Sequence, residues 1–148
     1  MSLTENYVDA PNQFQETFSS QEAFAAIALL AIAPDGHLSR EQTESTSVTL
    51  SRIRLFHNYS PDSMNRMFEK LVNVLQTSGL NALFNTAKES LPPQLRESAF
   101  AMATELLLSD SIITEEERYF LKDLCQALDL ETDIASKIVE VITIKNRA

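Results

Sequence analysis

Apolar residues recur at helical spacing along most of this chain, and one stretch is apolar on every side. Nearly all residues from Ala23 to Ala33 are hydrophobic, which is typical of a helix buried at the centre of a protein. The Pro-Asp-Gly turn at residues 34–36 ends that stretch, because proline does not continue a helix and glycine tolerates positive φ. The pattern predicts a first helix that begins near Ser20, with Ser20 as its N-cap, and runs through Ala33. The polar residues 1–19 before it would be an arm or a short helix.

Serine, threonine and proline mark where the later helices begin. A hydroxyl residue three positions before glutamine or glutamate forms a capping box, and proline suits the first helical turn, where its missing N–H has no partner. The predicted helices begin at Ser39 (boxed with Gln42), Ser60-Pro61, Leu80, Pro92-Pro93, Thr114 (boxed with Glu117) and Glu131, with stops near Gly79, Lys88 and Ser109-Asp110. Glycine occurs only twice, too rarely for the tight turns of an all-β chain. We therefore predict an all-α fold, a compact bundle of about seven helices that forms one domain over residues 1–148.

The two halves of the sequence align at a separation of 75 residues. The aligned positions pair Asp35 with Asp110, Ser39 with Thr114, and Gln42 with Glu117. Each half reads as an Ala-rich apolar helix, an Asp-containing turn, a hydroxyl cap and an acidic first turn, in which carboxylates complement the positive end of the helix dipole. The sequence therefore predicts an internal pseudo-two-fold repeat.

The two turn segments resemble the tellurite-resistance TerB-like family. They read APDGHLSRE at residues 33–41 and LSDSIITEEE at residues 108–117. Membership would imply a compact helical domain with internal pseudo-symmetry, an acidic cluster that binds metal, and a protein partner in membrane-associated stress machinery. The chain departs from the family pattern at Pro34, where a small residue is usual, and at Ser111, where glycine is expected.

Charge and composition narrow the classes of partner. The formal net charge is −9, so the surface repels phosphate backbones and suits a basic partner protein or a bound cation rather than nucleic acid. The single cysteine, Cys125, cannot form an internal disulfide, and no secretory signal opens the chain. The longest apolar run, eleven residues, is shorter than the roughly 20 that span a bilayer. We expect a cytoplasmic protein that does not span a membrane.

The two Asp-containing turns form the candidate metal site. Its predicted ligands are Asp35, Asp110, Glu41, Glu117 and His37. Converging carboxylates would suit Ca²⁺ or Mg²⁺, and His37 would shift the preference towards Zn²⁺ or another transition metal. The alternative is that each Asp accepts backbone N–H bonds in its own turn and binds no ligand. A calcium EF-hand is excluded, because Arg40 and Glu115 stand where the loop glycines should be.

No catalytic arrangement is visible in the sequence. Glu105 interrupts an apolar stretch and would be either part of the acidic cluster, as ligand or base, or an exposed residue at the edge of its helix; we favour the second. Cys125 lies among leucines, which favours a packed thiol over a nucleophile. The leading hypothesis is a non-enzymatic, stress-associated TerB-like module that binds a metal ion or partner protein through its acidic face. The alternative is a purely structural helical interaction domain that binds no metal. Such a domain could form a homodimer.

Overall fold

The computed structural model describes residues 17–33, 35–108 and 113–148, and this part of the chain is all-helical. Its α helices are α1 (Ser20–Ile32), α2 (Arg40–Ser51), α3 (Pro61–Ser90), α4 (Arg96–Leu107), α5 (Glu115–Ala127) and α6 (Thr132–Lys145). Short 3-10 turns at Arg54–Phe56 and Pro93–Leu95 precede α3 and α4. The residues group into two compact units, the first ending at Leu91 and the second beginning at Pro92. The prediction of one domain over residues 1–148 stays a prediction.

The predicted break at Gly79 lies inside one element, so the described residues hold six α helices where about seven were predicted. Gly79 has φ 92° and ψ 171°, far from helical values, yet the helical assignment continues on both sides of it. Such a conformation is essentially restricted to glycine. The glycine therefore kinks α3, as the stop near Gly79 indicated, and two helical segments meet at this residue.

In the first unit, α1 is the central helix. All nine residues from Ala23 to Ala31 are buried, as the apolar run predicted. The long helix α3 packs along α1, and α2 contacts both. None of the helices in the described residues is long and apolar enough to cross a bilayer.

The N-cap of α1 is Ser19, and the prediction of Ser20 was wrong. The Ser19 Oγ accepts the backbone N–H of Glu22 at 3.1 Å, and a Glu22 carboxylate oxygen accepts the Ser19 N–H at 2.9 Å. Of the two serines, only Ser19 is followed three positions later by the glutamate or glutamine that the reciprocal cap requires. Its neighbour Phe18 is 6% exposed and donates its N–H to the Ser90 Oγ. Residues 1–16 of the predicted arm lie outside the described residues.

Glu22 also joins α1 to α3. Its second carboxylate oxygen accepts a hydrogen bond from the Lys70 ammonium at 2.9 Å, with the Glu22 side chain 17% exposed. The ammonium also lies 5.8 Å from the centroid of the Phe18 ring, a cation–π distance. One carboxylate thus caps α1 and ties it to the neighbouring helix.

In the second unit, α4 packs against both α5 and α6. The Pro-Pro step opens a 3-10 turn, and α4 begins at Arg96 and ends at Leu107, slightly inside the predicted limits. Phe100 and Thr104 are buried on α4, and the Thr104 hydroxyl donates to the Phe100 carbonyl at 2.7 Å. This bond satisfies a hydroxyl that burial would otherwise leave without a partner.

Candidate functional site

The described members of the predicted metal site do not form a ligand cluster. Asp35, His37 and Glu41 are all exposed, and the Asp35 Oδ1 accepts the backbone N–H of His37 at 3.0 Å. That bond is the local turn role expected of an Asx side chain. Across residues 17–33, 35–108 and 113–148, no group of three or more His, Cys, Asp and Glu side chains could hold a metal ion.

The other two predicted ligands belong to the second half of the sequence. The Glu117 carboxylate accepts the Thr114 backbone N–H at 2.9 Å, while the Thr114 hydroxyl accepts the Glu117 N–H at 3.1 Å. This is the predicted capping box at the start of α5. Asp110 lies outside the described residues, so a meeting of Asp35 with Asp110 stays a prediction.

Glu105 has the exposed role that the sequence favoured. Its side chain is 39% exposed, and a carboxylate oxygen accepts a hydrogen bond from the Lys145 ammonium at 2.6 Å. The ion pair joins α4 to α6. A half-exposed, paired carboxylate at this distance explains why an acidic residue interrupts an otherwise apolar helix.

The second unit has an apolar groove between α5 and α6, with a cavity volume of about 480 Å³. Its apolar walls are formed by Phe100, Ile113, Leu121, Cys125, Ala135 and Val139. Phe100 is 1% exposed and belongs to α4, so α4 provides the floor. The volume lies within the range of sites that bind small molecules or side chains.

The rim of this groove is polar and carries two cations on one side. The rim residues are Arg118, Lys122, Gln126, Thr132, Ser136 and Glu140, all of them exposed. Arg118 and Lys122 are four residues apart on α5, so they lie on the same side of that helix, one turn apart. In a chain with a net charge of −9, this pair is a local exception that favours an anionic group in an occupant.

Local interactions hold α5 in place at both ends of the groove. The Thr114 capping box begins it, and a turn with Asp129 in the left-handed region (φ 56°) ends it. There the Leu130 N–H donates to the Cys125 carbonyl at 3.0 Å, and the Asp129 N–H to the Gln126 carbonyl at 3.1 Å. These two bonds make a Schellman motif, in which the left-handed residue is usually glycine. The motif turns the chain directly from α5 into α6.

Cys125 lies where the sequence placed it, as a packed thiol. It is 8% exposed, and its sulfur lies 3.5 Å from the Leu130 carbonyl oxygen. The thiol faces the groove as part of its apolar wall. The groove itself was not predicted from the sequence. The spacing of Arg118 and Lys122 on an otherwise acidic, amphipathic helix indicates a cationic side of α5 but not the cavity beside it.

No protein-family model matches this chain, and comparison with curated proteins and with solved structures likewise finds no match. The resemblance to the TerB-like family therefore stays a prediction that depends on the two turn segments.

Proposed function

We propose that this protein is a non-enzymatic, cytoplasmic binding module whose second unit receives an amphipathic helix of a partner protein in the groove between α5 and α6. The observation that carries the proposal is the groove itself, with its apolar floor and its cationic rim. Protein interfaces commonly combine a buried apolar centre with a polar margin. The proposal keeps the protein partner of the TerB-like hypothesis, but it moves the contact from the acidic face to the groove and does not include the metal ion.

The shape of the groove supports a helical occupant. Its long walls are two helices, α5 and α6, and its floor is a residue of α4. A further amphipathic helix in this position would bury apolar residues at i, i+4 and i+7 against Leu121, Ala135 and Val139. The partner helix would then complete the packing around α5 and α6.

The charges on the rim specify the chemistry of that helix. Acidic residues on the partner would lie beside Arg118 and Lys122, where both cations are exposed and one turn apart. The net charge of the whole chain opposes an acidic ligand at long range. A preference for an acidic over a basic helix would therefore come from the rim and not from the average surface.

The TerB-like part of the proposal has two components: an internal pseudo-two-fold repeat underlies the fold, and the partner belongs to membrane-associated stress machinery. Corresponding elements in the two halves support the repeat. α1 and α4 end 75 residues apart, at Ile32 and Leu107. α2 and α5 begin 75 residues apart, at Arg40 and Glu115, and each opens with a reciprocal capping box. These correspondences are what a duplicated helix–turn–helix segment would retain.

The test uses two labelled synthetic helices that share leucines at i, i+4 and i+7 and differ in carrying glutamates or lysines at the flanking positions. Binding is followed by fluorescence anisotropy. The glutamate peptide is expected to bind more tightly, and Ser136→Trp, which fills the groove from an exposed rim position, should abolish most of that binding. Reversing the rim with Arg118→Glu and Lys122→Glu should weaken it about tenfold, the equivalent of 1.4 kcal/mol.

A matched control separates the rim from net charge. Arg66→Glu with Lys88→Glu makes the same change in charge at exposed positions of the first unit and should leave binding close to that of the wild type. If the lysine peptide binds as tightly as the glutamate peptide, or if the groove variants behave like this control, the proposed function is wrong.

A further inference from the structure

The last helix of the second unit carries aliphatic surface that the structure leaves uncovered. α6 holds six isoleucines and valines, none of them buried, and Ala135 is its one buried residue. The six are Ile134, Ile138, Val139, Val141, Ile142 and Ile144. Val141 is 63% exposed and Ile144 52% exposed. Clustered exposed side chains of this kind mark a surface that another surface covers.

Three of these aliphatic residues, the half-buried Ile134 and Ile138 and the exposed Val141, form a ridge that is separate from the groove. Ile134, Ile138 and Val141 follow i, i+4, i+7 spacing and so lie along one side of α6; we call these three residues the α6 ridge. Ala135 and Val139, which line the groove, each follow a ridge residue by one position. One position turns a helix by about 100°, so the ridge stays accessible when the groove is occupied.

The charges around α6 are arranged for pairing with a copy of itself. Residues 131–148 contain three acidic and three basic residues and are neutral, although the chain carries −9. Glu131 and Asp133 are at the start of the helix, and Arg147 follows its end, beyond Lys145, which is already paired with Glu105. Two such helices packed antiparallel place the acidic end of one beside the basic end of the other.

We propose that the α6 ridge is a homodimer interface in which the α6 helices of two copies pack antiparallel. A two-fold axis makes such a contact self-complementary, since each ridge meets the other and each acidic end meets a basic end. The helix has 14 residues, a length of about 21 Å. A contact of that length buries less than the standard interface of about 1,200–2,000 Å², so the dimer is weak and forms at high protein concentration.

Sedimentation velocity over a range of concentrations tests the ridge. Wild-type protein should associate reversibly, and Val141→Lys should weaken association at least about tenfold, because it introduces a charge into the apolar contact. Val48→Lys is the matched control: Val48 is 54% exposed, on α2 of the first unit, and its replacement should not change association. Wild-type protein that stays monomeric, or a Val48→Lys variant that loses association equally, would overturn the proposal.

Charge exchange tests the antiparallel arrangement. Glu131→Arg and Arg147→Glu should each weaken self-association, whereas an equimolar mixture should recover it, because each altered end then meets an opposite charge. Acidic residues at the start of a helix and basic residues at its end also stabilise an isolated helix through its dipole. The dipole effect operates within one chain, so mixing the two variants would not reverse it. Two variants that stay monomeric when mixed would therefore refute the antiparallel dimer. Peptide binding in the groove remains intact in these variants, which separates this result from the test of the proposed function.

Discussion

Replacement of Glu22 by glutamine isolates the charge of one partly buried carboxylate in the first unit. The carboxylate contacts the Lys70 ammonium and the Ser19 N–H, each at 2.9 Å. Glutamine preserves the cap of α1, since Gln42 already makes the same reciprocal cap with Ser39 at the start of α2. Glu22→Gln should therefore remove the ion pair and leave the start of α1 intact.

The expected loss is about 1 kcal/mol in the free energy of unfolding at pH 7. Hydrogen bonds to charged groups contribute about 1.5–3 kcal/mol and neutral ones about 0.5–1.5 kcal/mol, and the substitution converts the first kind into the second. In a chain of this size, that loss lowers the thermal midpoint by about 2–4 °C. Lys70→Met, which leaves the carboxylate without its ammonium partner, should cost more than Glu22→Gln.

The difference between wild type and Glu22→Gln should depend on pH. Burial raises the pKa of Glu22, but the Ser19 backbone N–H and the Lys70 ammonium outweigh it, so the pKa in the folded protein is lowered. A carboxyl with a lowered folded-state pKa stabilises fully above its unfolded value, about 4.3, and loses that contribution as the pH falls through the folded value. The two proteins should converge in stability as the pH falls below about 4.

Urea unfolding followed by circular dichroism at a series of pH values measures this difference. Glu69→Gln is the control, because Glu69 is exposed beside Lys70 on α3 and its replacement should change stability little at any pH. A Glu22→Gln difference that stays constant from neutral to acidic pH would refute the electrostatic reasoning and assign the effect to packing.

Three other outcomes follow from the structure. Gly79→Ala should lower the free energy of unfolding by about 1–3 kcal/mol, because alanine is strained at φ 92° and ψ 171°. Nothing lies within 4 Å of the added Cβ, so the loss would come from the backbone and not from a clash. Unchanged stability in urea would contradict this strain. Asp129 has φ 56°, so Asp129→Ala should destabilise the protein by about 1 kcal/mol and Asp129→Gly should not. Equal effects of the two variants in thermal melts would show that the left-handed conformation does not determine stability here. If the predicted metal site exists, Ca²⁺, Mg²⁺ or Zn²⁺ should raise the melting temperature by mass action. EDTA should reverse the shift, and the double variant Asp35→Asn/Asp110→Asn should not show it. A melting temperature that no cation changes would refute the metal hypothesis.

Helix starts were predictable because their signals lie within four residues of sequence. The boxes at Ser39 and Thr114 and the cap at Ser60 are all present, and Ser19 was missed only because Ser20 beside it has the same side chain. Helix ends were less predictable. α2 ends at Ser51, and Phe56 packs against Phe24 from the 3-10 turn that follows it.

The groove was not predictable, because it depends on how α5 and α6 are separated on α4. The apolar residues of α6 fit a helical face equally well in several orientations, and the spacing of Ile134, Ile138, Val141 and Ile142 is typical of a core face. In the structure Ala135 is the residue of α6 that becomes buried. A single sequence contains the periodicity of a helix but not the identity of the surface that each side meets.

The reciprocal caps also determine how folding is expected to begin. Nucleation of a helix is costly, and side chains three residues apart lower that cost at α1, α2 and α5 before any tertiary contact forms. After its capped start, α2 has little to sustain it, since six of its twelve residues are serine or threonine and only Thr46 and Leu50 are buried. Its amide hydrogens should therefore exchange with solvent faster than those of α1, so that α2 opens while the rest of the first unit stays folded.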